Sequence, residues 1–206
     1  MIGAMMSIST SNFKFYTDSE MHEPKEEYRI DFTGEGFVDF TLYFGSIYEK
    51  EKLRSVKDKI QMWPESRLRK WQPNISVPEG LYIEPQIPNG YMYKCVQSGV
   101  TGETEPIWPL TDDVKNDNTV TWRCLGQKIK PEDVRMALKR SALKEAEGGA
   151  KLELGAEIKG GQSIPIYFRV INTDSTPRTD LLNPCICIKI NDVIWTYLPS
   201  EYYVEE

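Results

Sequence analysis

Apolar and polar residues alternate along most of this chain, and a period of two is the mark of a half-buried strand. Phe40, Leu42 and Phe44 would share one face while Asp39, Thr41 and Tyr43 take the other. The N-terminal third accordingly predicts strands over Phe13 to Tyr16, Tyr28 to Phe32 and Phe37 to Phe44, with turns at Pro24, Gly34-Glu35-Gly36 and Gly45-Ser46. In the middle, Tyr91 to Val96 and Thr119 to Leu125 read as short strands. As neighbours they would gather Tyr91, Tyr93 and Cys95 with Trp122 and Cys124 into one small core. The C-terminal third predicts strands at Leu152-Glu153-Leu154, Ile164 to Val170, Cys185 to Ile190 and Val193 to Tyr197, and Asn191-Asp192 reads as a tight hairpin turn. Pro131-Glu132-Asp133 suits a helix start, yet Val134, Met136 and Leu138 alternate as in a strand; a strand through about Arg140, then a helical turn from Ser141 to Ala146, reconciles the two.

Composition sharpens this to a mostly β chain. Ile and Val number 29 against 19 for Leu and Ala, and 11 % of the residues are aromatic. Both classes fit a pleated surface better than a helix. A chain of 206 residues buries about 70 % of its unfolded surface without disulfides. Strand-loop-strand blocks lie on either side of a proline-rich middle. The architecture expected is therefore one β-sandwich built from residues 1–70 and 127–206, carrying residues 71–126 as an inserted small β module.

Charge and candidate chemistry exclude more than they nominate. The net charge is −6 and the sequence pI about 5.1, which disfavours nucleic acid as a partner because its binding relies on neutralising phosphates. The first ten residues carry no basic side chain, and no apolar run approaches the length of a membrane span. A protein without a membrane or export step is expected. Residues 49–70 hold eight basic residues against four acidic ones, a local +4. This stretch reads as a solvated loop or lysine-blunted edge strand. Alternatively it is a contact for an acidic partner, such as Glu201, Glu205 and Glu206 of a neighbouring copy, with Arg67, Arg69 and Lys70 as the candidate residues.

The single histidine, His22, sits in a charged loop with no nucleophile context, and no phosphate loop or serine elbow is present. No enzyme is expected, and no cofactor. Cys95 and Cys124 lie too far apart, and Cys185 and Cys187 too close together, for a zinc knuckle, so no metal site is expected either. A Cys95–Cys124 disulfide across neighbouring strands stays open for an oxidising medium. Sugar sites use exposed aromatic faces, and Trp108, Trp71 and Tyr82 are the candidates for one, Trp108 foremost because it lies in a loop between Pro106 and Pro109. Packing inside the small module is the competing reading for each.

Three stretches of the middle segment carry a resemblance: Asn89-Gly90-Tyr91-Met92-Tyr93-Lys94-Cys95, Ser98-Gly99-Val100-Thr101-Gly102-Glu103-Thr104-Glu105-Pro106-Ile107-Trp108-Pro109, and Asp117-Asn118-Thr119-Val120-Thr121-Trp122-Arg123-Cys124-Leu125-Gly126. Together they resemble a small module recurrent in tailed-bacteriophage virion proteins and described as carbohydrate-binding-module-like. The flanks are more weakly similar to phage structural proteins in which a β-sandwich surrounds this module. One copy is present, without fibrous or coiled-coil repeats. The resemblance implies an Ig-like β-sandwich and a non-enzymatic virion component of the tail, baseplate, neck or head surface, made in the host cytoplasm. The partners it implies are other virion proteins and copies of the chain itself; a host-surface glycan adhesin is the alternative.

Overall fold

A computed structural model describes residues 12–28, 30–173 and 186–197. Cys185 and the acidic residues Glu201, Glu205 and Glu206 lie outside the described residues. The chain is mostly β and builds a two-layered sandwich. One layer has the order β1 (Lys14–Tyr16), β2 (Gly36–Gly45), β15 (Ser163–Asn172), β12 (Val134–Ala137), all antiparallel. Its spine is the pairing of β2 with β15 over ten residues, Gly45 opposite Ser163 through Gly36 opposite Asn172. In that register Arg169 stands opposite Asp39 and donates to both of its carboxylate oxygens, at 2.7 and 2.8 Å. The guanidinium holds the Asp39 carboxyl below the usual carboxylate range. On the opposite face Phe40 stacks on Phe168 at 5.0 Å and under Tyr28 at 4.2 Å.

The second layer comes from the basic stretch. β3 (Glu51–Ser55) and β4 (Ile60–Ser66) follow each other along one line. β4 is flanked by β13 (Leu152–Gly155) and β16 (Ile186–Ile190), and β3 by β14 (Glu157–Lys159) and β17 (Val193–Tyr197). The two three-stranded arrays are thus consecutive halves of one bent layer. Leu53, Ile60 and Met62 are fully buried and meet Leu42, Phe44, Ile166, Phe168, Ile186 and Ile188 in the core between the layers. Residues 49–70 are therefore neither a solvated loop nor a sheet edge over most of their length: β3 and β4 are central strands. Their basic residues face outward onto carboxylates of distant strands, Arg54 and Lys52 onto Glu157 and, from the turn between β3 and β4, Lys59 onto Glu153, while Glu51 is buried and accepts from Ser46.

Asn191-Asp192 is not a hairpin turn, because β16 and β17 pair with successive stretches of the same line rather than with each other. Asn191 instead clamps the bend. Its Oδ1 accepts the Gln61 N–H at 2.8 Å, and its Nδ2 donates to the Lys59 carbonyl at 2.8 Å and to Ser55 Oγ at 3.0 Å. Removing the clamp by Asn191→Ala is expected to cost about 2 kcal/mol, since each such bond is worth about 1 kcal/mol net and some groups regain water. Calorimetry should then show the melting temperature lowered by about 4–8 °C.

Two further sequence expectations need correction. Of the stretch from Tyr28 to Phe32, where Arg29 lies outside the described residues, Tyr28, Ile30 and Asp31 carry no strand and Phe32 makes only a single bridge, although Ile30 and Phe32 are buried as the alternation predicts. The segment after Pro131 opens with a single 3-10 turn, Pro131–Asp133, followed by β12 and a second 3-10 turn, Arg140–Ala142. The strand and helical turn read from the sequence are both present, but β12 ends at Ala137. No helix among the described residues is long and apolar enough to cross a membrane.

Candidate interaction site on the small module

Between β4 and β12 the chain leaves the sandwich and builds a five-stranded sheet in the order β10, β11, β8, β7, β5. Its strands are β5 (Arg69–Lys70), β7 (Tyr82–Glu84), β8 (Tyr91–Gln97), β10 (Val114–Asp117) and β11 (Val120–Gln127). A short ladder of β6 (Ser76–Val77) with β9 (Gly99–Val100) lies beside it. The sheet starts at Arg69, so Arg69 and Lys70 belong to it rather than to the sandwich. Its alternate faces do different jobs. Ile83, Tyr93, Cys95, Val120, Trp122 and Cys124 form the module's own core with Trp71 and Val77. Tyr82, Met92 and Leu125, on the other face, pack into the sandwich core.

The residues of the three resemblance stretches hold this module together. Asp117, almost fully buried, accepts the indole N–H groups of Trp71 and Trp122 on one oxygen, at 2.8 and 3.0 Å, and the Gly102 N–H on the other at 2.8 Å. Thr101 accepts the Ile75 N–H and donates to the Gln72 carbonyl. Asn89 accepts the Tyr91 N–H and donates to the Tyr93 hydroxyl, which in turn donates to the Pro109 carbonyl. Burial pushes the Tyr93 phenol up to about 12. Glu105 accepts both the Gln86 N–H and the Trp108 indole N–H. Gly99 is required by close approach, for a Cβ there would lie 2.5 Å from the Thr119 carbonyl oxygen. The stretches are a folding signature.

The sugar-site candidates are accordingly engaged in packing and do not share a platform. Trp71 is buried. Tyr82 lies on the sandwich side of the sheet, below Lys94. Trp108 is half-buried, 4.4 Å from the Tyr93 ring and edge-on to Trp122 at 5.9 Å. Trp108→Ala should therefore cost about 2–3 kcal/mol, somewhat under the range of about 3–5 kcal/mol for fully buried aromatics. Urea unfolding followed by fluorescence checks this; an unchanged midpoint would mark Trp108 as a free platform instead.

Cys95 and Cys124 are thiols and not a disulfide. The register sets Cys95 opposite Trp122 and Cys124 opposite Tyr93, so the two are diagonal rather than facing. Burial pushes the Cys95 thiol up, away from reactivity. Among the described residues no cluster of three or more His, Cys, Asp or Glu could hold a metal. His22 is exposed in a loop closed by Asp18, at 3.1 Å from its carboxylate.

Two surface features remain on the module. The first is a groove of about 360 Å³ whose floor includes Val77, Leu81, Ile83 and Trp122 and whose lining includes Arg69 and Lys70. Arg67, half-buried, is not part of it. The second is a pair of loops, tied by the bond from the Gln86 N–H to Glu105, carrying Ile87, 83 % exposed, and Ile107, 88 % exposed, with the exposed Leu110 three residues further along the chain. The sequence nominated Arg69, Lys70 and Trp71 of the groove's lining, but neither the groove as an assembled site nor the loop pair. A signal existed for the second: Ile87 and Ile107 each lie within two residues of prolines on both sides, where a ladder position that would hide them is disfavoured. For the groove only the stretch Arg69-Lys70-Trp71 was legible, because the rest of its lining is drawn from residues up to 122 and assembles only in space. Taken together these features suit recognition of a surface, an apolar contact framed by charge. No family model matches the chain, and no curated protein or solved structure matches it.

Proposed function

We propose that the chain is a non-enzymatic structural component of a tailed-phage virion, assembling through its β-sandwich, of Ig-like type, and presenting the small β module at the particle surface. The observation that carries this reading is the use made of the resemblance stretches. Asp117, Asn89, Thr101 and Glu105 spend their polar groups on the module's own framework, which leaves the loops around that framework free to vary as contact surface. The same packing of Trp71, Tyr82 and Trp108 favours a structural part over a host-surface glycan adhesin.

Quantitative mass spectrometry of purified virions tests the proposal. A copy number, relative to the portal protein, of roughly a small multiple of three or six would fit a ring in the neck, tail tip or baseplate. A count approaching that of the major capsid protein would fit a head decoration. Absence from the particle would overturn the reading.

A further inference from the structure

The two surface features of the module are complementary to each other. Arg69 and Lys70 are exposed and make no ion pair among the described residues, whereas Lys52, Arg54, Lys59, Lys128 and Arg169 each sit on a carboxylate. The groove they border has an apolar floor and no carboxylate in its lining. Its basic mouth therefore awaits an anion with an apolar neighbour.

The loop pair is a knob that supplies that chemistry in reverse. Ile87, Ile107 and Leu110 are exposed apolar residues, and in the chain Leu110 is followed closely by the exposed Asp112 and Asp113. Asp112 makes only a loose, exposed pair with Arg123 at 3.6 Å. The knob is braced: Glu105 ties the Gln86 backbone to Trp108, and Tyr93 ties Asn89 to Pro109. An apolar projection held this firmly loses little freedom on contact, and exposed apolar clusters with polar rims mark interaction sites.

We propose that the knob of one copy seats in the groove of a second copy, its isoleucines toward the apolar lining around Leu81 and the neighbouring Asp112 and Asp113 toward Arg69 and Lys70. Knob and groove share no residue, so the contact is heterologous. Each copy uses its knob in one direction and its groove in the other, and the chain of contacts closes into a ring if the rotation per copy allows. The inference rests on the reading of this protein as an assembly component and adds, beside the contact proposed for the sandwich, a joint between the modules of neighbouring copies.

Sedimentation velocity on the full chain, from micromolar to near-millimolar concentration, tests the joint with two variants. Ile107→Asp disables the knob and Arg69→Glu with Lys70→Glu disables the groove; all three positions are exposed, and circular dichroism confirms that the variants fold. Wild-type protein is expected to grow past the dimer with concentration and to weaken by roughly tenfold or more as salt is raised. Each variant alone should stay monomeric where the wild type assembles. An equimolar mixture of the two should form a one-to-one dimer and stop there, because one intact knob and one intact groove remain.

Wild-type protein that stays monomeric, growth that stops at a dimer, or variants that assemble as the wild type does would each overturn the proposal. The two proposals fail separately. Assembly in solution by a protein absent from virions would leave the joint standing and remove the virion role, whereas particle-borne protein whose variants still assemble would do the opposite.

Discussion

Replacing Asp117 with alanine is expected to unfold the small module at conditions where the sandwich still holds. The carboxylate is almost fully buried and serves three donors, the indoles of Trp71 and Trp122 and the Gly102 backbone. It is placed there by the turn after β10, where Asn118 takes a left-handed φ of 53° and brings Asp117 opposite Val120. Alanine leaves three buried N–H groups without an acceptor and opens space beside two indoles. Bonds to an ionised acceptor are worth about 1.5–3 kcal/mol each, and partial recovery by water sets the expected loss at about 3–5 kcal/mol.

Because the residues around Asp117 form a core of their own on the face of the module sheet turned away from the sandwich, the loss should appear as an early transition rather than as a uniform shift. Trp71, Trp108 and Trp122 report on the module, and Trp63 and Trp195 on the sandwich. Urea titration of single-tryptophan variants would separate the two. Asp117→Asn supplies one acceptor oxygen and turns an amide N–H toward a donor, so it should recover only part of the loss. A cost below about 1 kcal/mol for the alanine variant would show that the three donors find other partners.

How far the fold was legible depends on where the partners of each segment lie. β2, β8, β11 and β15 combine alternation with aromatic and β-branched residues, so each strand declares itself from its own sequence. β3 and β4 do not. Leu53 stands alone between Lys52 and Arg54, and the short alternation of Ile60, Met62 and Pro64 is set between charged runs and carries a proline, which argues against a central strand. The charges that read as a solvated segment are outer-face residues whose partners, Glu153 and Glu157, lie roughly a hundred residues onward. Asn191 shows a similar limit. Its turn-forming character is local, while its three partners at Ser55, Lys59 and Gln61 belong to the opposite end of the chain and make it a clamp on a bend. Within the module the aromatic and cysteine positions of the small core were legible from face alternation alone. What alternation does not tell is which aromatic is exposed. Trp71 follows a charged pair and lies two residues before a proline, yet the hydrogen bond from its indole to Asp117 draws it inside.

The second large effect is expected where β7 meets the chain's exit from the module. Glu84 and Lys128 are both almost fully buried and form an ion pair. Glu84 lies beside Tyr82 on the sheet, with the buried Ile83 between them, and Lys128 follows β11 directly, its N–H on the Gly90 carbonyl at 2.9 Å. Lys128→Met keeps the length and the apolar stem of the side chain but strands the carboxylate. Breaking a buried pair from one side costs about 3–5 kcal/mol, because the remaining charge has lost its solvent and its partner alike. Glu84→Leu should cost a similar amount by stranding the ammonium. The double replacement removes both charges and offers two apolar groups to the interior, and such exchanges are neutral or stabilising by about 1–4 kcal/mol. The three unfolding free energies should therefore be strongly non-additive, with an interaction energy beyond the usual 0.5–3 kcal/mol or so for neighbouring residues. If instead the two single losses simply add in the double variant, the pair is not coupled and water reaches at least one of the charges.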